Sequence, residues 1–406
     1  MMRVGLRIAG WASGVAMAAL LGACAGSYDS APAALTGPAA PTVRLVQPPA
    51  RDQADLQVLF WSDDQRSQRF REMEQWFAGH EVPAAATPRA LPKGAPLSAE
   101  LQADLKAAMA ETNTAGIMVI EDGKVRFEAY GLGLRAQDRW TSFSVAKSFT
   151  STLLGAAVKD GFIASMDDPV TTYIPGLAGS AYEGVTVRQL ATMTSGVAWN
   201  ESYTDPNSDV AKTQSFVIEH GANAIVAQMK ALPREAEPGT KWAYKTGETN
   251  LLGVLVENAI GKPLAEYAKD KIAEPAGFAG DLFWMVDPRG GNIGGCCLSI
   301  TLADYARMGV FALEGGDGVV PPGWFAEAGT AQVQFGPSAP GYGYGYQWWT
   351  YPGATYGAQG IFGQGITLYP EKGVVFAYVG NWSRASGGPE RAQFLALSQR
   401  VAVEAR

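Results

Sequence analysis

Residues 142–149 read Ser142-Phe143-Ser144-Val145-Ala146-Lys147-Ser148-Phe149 and run into an apolar helix that ends near Asp160-Gly161. Ser144 and Lys147 are three apart, so on a helix they share a face and their side chains can meet. A serine at a helix start has a backbone N–H free to donate to an oxyanion, and the positive end of the helix dipole favours negative charge there. Lys147 sits among Val145, Ala146 and Phe149. Partial desolvation by such neighbours lowers an ammonium's pKa and lets the amine accept a proton near neutral pH. Ser144 is the only serine followed by lysine at this spacing, and no Gly-x-Ser-x-Gly elbow occurs in the chain. Taken alone, the pair also fits a capping serine with a solvated lysine one turn on. The surrounding sequence decides between the two.

Upstream, Ser98 begins an amphipathic helix with Leu101, Leu105 and Met109 on one face. Two apolar runs, Gly116 to Ile120 and Val125 to Tyr130, flank Asp122-Gly123, a strong hairpin signal. Downstream to Ile260 the pattern is mostly helical, over 150–159, 187–193, 211–220, 222–229 and 250–260. A helix over 302–313 then leads to strand-like runs at 344–350, 365–369 and 374–379, and a last helix over 389–405 closes the chain. Strands early and late, with helices between, predict an α+β body: one antiparallel sheet flanked by helices, with an inserted helical subdomain. Thr186 with Gln189 and Thr301 with Asp304 read as helix capping boxes, so Gln189 and Asp304 are expected to be structural.

Of 406 residues, 47% are hydrophobic, and 32 basic against 39 acidic side chains give a net charge of −7. That balance argues against a nucleic-acid partner. Two histidines and three cysteines supply a multi-ligand metal site poorly and leave little room for a histidine base, so no metal or other cofactor is expected. At the N-terminus, Arg3 and Arg7 precede an apolar run from Ile8 to Leu21, too short to span a bilayer and typical of a secretory signal. It ends Leu21-Gly22-Ala23-Cys24, which resembles the bacterial lipobox, in which the cysteine is acylated and becomes the first mature residue. Residues 1–23 are then a lipoprotein signal, and Ala25 after the cysteine suggests sorting to the outer membrane, facing the periplasm. Residues 24–96, rich in Ala and Pro, read as a flexible tether and N-terminal extension, with an amphipathic piece over 60–77 that could lie against the body. The main folded domain is expected over 97–406.

Four further stretches accompany the serine-lysine pair. Pro238-Gly239-Thr240-Lys241-Trp242-Ala243-Tyr244-Lys245-Thr246, leading to Asn250-Leu251-Leu252-Gly253, resembles the Tyr-x-Asn region of the class C β-lactamase-related serine hydrolases and penicillin-binding proteins. Val185 to Gly196 and Trp284 to Gly309 look like further landmarks of that superfamily. Tyr356-Gly357-Ala358-Gln359-Gly360-Ile361-Phe362-Gly363-Gln364 occupies the place of its Lys/His-Thr-Gly strand. These landmarks occur in the family's order over most of residues 100–400, nearest in style to the 6-aminohexanoate-dimer hydrolase group. The resemblance implies Ser144 as nucleophile, Lys147 and Tyr244 as the proton-handling pair, with the base left open between them. It implies the N–H groups of Ser144 and Ile361 as oxyanion hole, and Tyr203 and Gly360 at the substrate.

The departures from the pattern carry information too. Thr246 replaces the asparagine of Tyr-x-Asn. Ala358 replaces a lysine or histidine that could bind a substrate carboxylate, which weakens the D,D-peptidase, cell-wall recognition and β-lactamase alternatives. A small amide or ester substrate is the favoured partner; oligomeric state is not readable. Trp348 and Trp349 read as packing, and His80 and His220 as non-catalytic. Cys296-Cys297 is either a vicinal disulfide or two buried thiols.

Overall fold

Asp122-Gly123 closes a two-residue hairpin between Thr114–Glu121 and Lys124–Tyr130 in the computed structural model of the chain, which describes residues 42–213, 224–287 and 290–405. Both turn residues have positive φ, 48° and 73°, as the turn matched to strand twist requires. In chain order the strands are β1 (Arg44–Val46), β2 (Gly79–Val82), β3 (Thr114–Glu121), β4 (Lys124–Tyr130), β5 (Arg139–Thr141), β6 (Leu282–Met285) and β7 (Leu298–Thr301). They continue with β8 (Val333–Gln334), β9 (Gly343–Tyr344), β10 (Trp349–Tyr351), β11 (Thr355–Gly360), β12 (Gln364–Tyr369) and β13 (Val374–Gly380). Eight form one antiparallel sheet in the order β4-β3-β13-β12-β11-β10-β9-β8. The early hairpin therefore meets the late strands edge to edge, with Ile117 opposite Tyr378 and Met118 opposite Ala377. This is the expected α+β architecture.

Alternation along β3 feeds two cores. Ile117 and Val119 pack with Leu101, Leu105, Phe376, Phe394 and Val401 beneath the helices Ala99–Glu111 and Gly388–Glu404. Met118 and Ile120 face the main core, shared with Phe149, Leu153 and Phe311 from the helices Ala146–Lys159 and Leu302–Leu313. The helix Thr246–Ile260 packs against Ala146–Lys159 and carries the inserted helical region. The Thr186 capping box is complete. Thr301 caps its helix, while the Asp304 carboxylate accepts the N–H groups of Ala279 and Gly280 and so braces a neighbouring turn.

Two expectations need correction. Residues 42–96 are not a loose extension: β1 and β2 join β6, β7 and β5 in a second sheet, and Trp61, Phe70, Met73 and Phe77 are buried in the main core. The folded body thus starts well before residue 97; bulky aromatics dispersed among polar residues hid it. The run 344–350 is not one strand either. Gly345 N–H bonds to Trp348 O at 2.8 Å and Gln347 has φ 63°, so the chain reverses and pairs Tyr344 with Trp349. The signal segment, Cys24, His220 and most of the helix expected over 211–220 lie outside the described residues.

Candidate active site

Ser142 is pinned to β7: its N–H donates to Leu298 O at 2.7 Å, and its hydroxyl accepts the Leu298 N–H at 3.1 Å. The next residue, Phe143, has φ 43°, a left-handed conformation costing a non-glycine on the order of 1–3 kcal/mol. Its ring is held by Phe70 (4.9 Å between centroids) and Phe362 (5.6 Å), one from each end of the chain. Phe143–Val145 forms a single 3-10 turn that runs into the helix Ala146–Lys159. Its first bond goes from Val145 N–H to Ser142 O, so the Ser144 N–H precedes the ladder and has no partner within the turn.

One turn on, Lys147 is 1% exposed, and its Nζ has three neighbours. They are Gly295 O at 2.7 Å, Thr246 Oγ1 at 3.0 Å and Ser144 Oγ at 3.2 Å. Burial pushes the ammonium down to about 8, against the attraction of the Glu201 carboxylate, which raises it. Gly295 is brought close by Asn250, whose Oδ1 accepts the Gly295 N–H at 2.9 Å. A Cβ there would lie 2.9 Å from Thr246 O. Glu201 accepts hydrogen bonds from the Thr246 hydroxyl and the Trp199 indole, from the Thr246 N–H at 2.9 Å, and from the Tyr203 hydroxyl at 2.9 Å. Thr246, the departure from Tyr-x-Asn, thus joins the lysine to this carboxylate.

Tyr244 stacks on Trp349 with centroids 5.4 Å apart and lines the cleft together with Ser144. Burial pushes the phenol far above its ordinary value, the Glu201 charge adds to the rise, and the neighbouring Ser144 hydroxyl opposes it. Lys147 Nζ lies 5.2 Å from the phenol ring centre. On the opposite wall, Gly360 ends β11 so close to the serine turn that a Cβ would sit 2.4 Å from Ser142 O. Ile361 follows it at the strand end. Arg391 Nη2 donates to Gly360 O at 2.8 Å, while Nη1 donates to Gln364 O at 3.2 Å and to the Tyr378 hydroxyl at 2.8 Å. That guanidinium is engaged in buttressing β11 and does not replace the cation missing at Ala358, which is buried in the same strand.

Ser144, Lys147, Tyr244, Tyr203, Gly360 and Ile361 therefore surround one cleft, and Cys24 falls outside the described residues. The cleft has two lobes that meet at Ser144, of about 340 and 290 Å³. Sequence reasoning missed Glu201, which stands two residues before Tyr203 with no periodic or motif signal. It also undervalued Trp349, which lines the cleft beside Tyr244, whereas Trp348 is buried packing. His80 pairs through Nδ1 with Asn292 Oδ1 at 3.1 Å and takes no part in the cleft. Cys296 and Cys297 are joined as a disulfide in the cleft wall.

A family model described as Beta-lactamase matches residues 101–400. The 6-aminohexanoate-dimer hydrolase of Paenarthrobacter ureafaciens is 28% identical over 291 residues, 68% of this chain and 74% of that one. The lovastatin esterase of Penicillium rubens is 25% identical over 159 residues, 35% of this chain and 39% of the esterase. A Bacillus anthracis protein provisionally described as a 6-aminohexanoate-dimer hydrolase shares the fold, with TM-score 0.71 at 19% identity over 83% of this chain and 93% of its own.

Proposed function

The chain belongs to the Beta-lactamase family of serine hydrolases, and from that premise we propose that it cleaves amide or ester bonds through an acyl-enzyme on Ser144. The observation that carries the mechanism is the set of contacts around Lys147 Nζ. Gly295 O can only accept. The Thr246 hydroxyl has given its one proton to Glu201, so it also accepts from the lysine. A neutral amine has two N–H bonds and one lone pair; with both N–H bonds spoken for, the lone pair faces Ser144 Oγ at 3.2 Å. Lys147 is therefore the base of this reading. Tyr244, its phenol held protonated at neutral pH, is the acid.

As Ser144 Oγ bonds to the acyl carbon, its proton passes to Lys147. The oxyanion faces the N–H groups of Ser144 and Ile361, where losing one donor costs about 2.7–4 kcal/mol of barrier. Collapse breaks the bond to the leaving group, which takes the Tyr244 proton, and the Lys147 ammonium restores it. Water then releases the acid. Among the relatives, one is named for an amide and one for an ester substrate, which keeps both bond types in scope. The absence of a cation at Ala358 favours linear amides and carboxylic esters over β-lactams or D-Ala termini.

A fluorophosphonate probe tests the reading. It should label wild-type protein and not Ser144→Ala, with p-nitrophenyl acetate hydrolysis lost in the same variant. Wild-type protein inert to both reagents refutes it. We also propose, on the sequence pattern at Leu21 to Cys24 alone, that Cys24 carries the lipid that holds the enzyme at the outer membrane, facing the periplasm.

A further inference from the structure

The two lobes of the cleft differ in chemistry. Beside Tyr244 the wall carries Glu201, Gln359, Ser386 and Arg391. The other lobe, about 340 Å³ in volume, is walled by Leu56, Val58, Leu59, Phe77, Met285 and Ile293, with no lysine or arginine among its described lining residues. The one carboxylate among them, Asp287, is buried and engaged, accepting the Gly291 N–H at 3.1 Å.

Four of those six residues, Leu56, Val58, Leu59 and Phe77, lie outside the family match, which begins at residue 101. Residues 53–60 form two short 3-10 turns, Gln53–Leu56 and Val58–Phe60. Trp61 fastens them. Its indole N–H donates to Asp55 O at 2.8 Å, and its ring is buried against Trp76 and Phe77.

Acyl chain and leaving group diverge from the tetrahedral centre. The leaving group must lie where its proton donor is, on the Tyr244 side. The acyl chain is then directed into the opposite lobe, whose lining includes Ser144 and Ile361 but not Tyr244.

We propose that this lobe selects an uncharged apolar acyl chain, and that residues 53–59 are the specificity-determining wall. The inference rests on the acyl-enzyme reading above and names its acyl class. A chain ending in an ammonium or carboxylate loses its hydration there and meets amides and hydroxyls but no opposite charge free to pair with it among the described lining residues, so it is disfavoured.

The test is kcat/KM of purified full-length protein for p-nitrophenyl acetate, butyrate, hexanoate and 6-aminohexanoate. Each methylene that leaves water adds up to about fourfold. Hexanoate should exceed acetate by at least tenfold and exceed 6-aminohexanoate by a similar factor. In Leu59→Asp, verified as folded by its melting temperature, the hexanoate-to-acetate ratio should fall at least tenfold. A flat chain-length series, a preference for 6-aminohexanoate, or an unchanged ratio in the variant overturns the proposal. If acetate turnover is present and requires Ser144, those outcomes sink only the acyl assignment. If acetate is not turned over, or turnover survives Ser144→Ala, the nucleophile reading itself fails.

Discussion

Replacing Glu201 by Gln removes a charge while keeping the side chain's size and one acceptor oxygen. Lys147 Nζ is 3.0 Å from Thr246 Oγ1, which in turn is hydrogen-bonded to Glu201, so carboxylate and amine are roughly 5 Å apart. With an effective permittivity between that of a protein surface and water, such a pair attracts by on the order of 1–3 kcal/mol, or about one to two pH units. The sign follows from the active form. In the proposed mechanism the base is the neutral amine; burial brings it down to about 8, and Glu201 opposes that fall by favouring the ammonium. Without the charge the amine loses its proton more readily, so the acid limb of activity moves to lower pH. The assay is kcat/KM for p-nitrophenyl acetate from pH 5 to 10, which reports the free enzyme. Wild type should rise with an apparent pKa of about 8; Glu201→Gln should rise about one to two units lower, to a reduced plateau because an amide orients Thr246 less well. An acid limb that stays in place, or shifts upward, refutes the lysine base and its carboxylate partner together.

Gly360→Ala places a methyl group 2.4 Å from Ser142 O, forcing β11 away from the serine turn. It should cost about 1–3 kcal/mol in denaturant unfolding and lower kcat more than it raises KM. Phe70→Ala removes a fully buried ring that holds Phe143 in its left-handed conformation, so chemical denaturation should show a loss of about 3–5 kcal/mol. The same variant should lose fluorophosphonate labelling before it unfolds. Cys24→Ser should move the protein from the membrane pellet to the soluble periplasmic fraction without changing its turnover of p-nitrophenyl acetate; retention in the pellet refutes lipid attachment at that residue.

The fold was legible where local chemistry and periodicity agree. Asp122-Gly123 demanded a tight hairpin, Leu302–Leu313 showed its apolar stripe, and Ser144-x-x-Lys147 announced a shared helix face. The convergence of Tyr244 and Gly360 on Ser144 came from family resemblance, because no local pattern encodes a contact across a hundred or two hundred residues. What stayed hidden depended on long-range contacts with no motif. Phe70 and Trp61 look like stray aromatics until β2 pairs with β6. Glu201 looks like a loop carboxylate until Thr246 arrives from the far side of the helical insertion to give it two hydrogen bonds. Gln347, whose amide donates to Ala191 O and accepts the Thr249 hydroxyl, breaks an apparently continuous strand for the same reason.

The meeting of β3 with β13 has a consequence for the birth of the enzyme. The serine turn is synthesised early, but Phe362 and the N–H of Ile361 arrive more than two hundred residues later. Such distant pairing is slow to close. If the proposed mechanism holds, a nascent chain therefore carries an unarmed hydroxyl: it becomes competent only once its tail has been delivered and zipped onto its head.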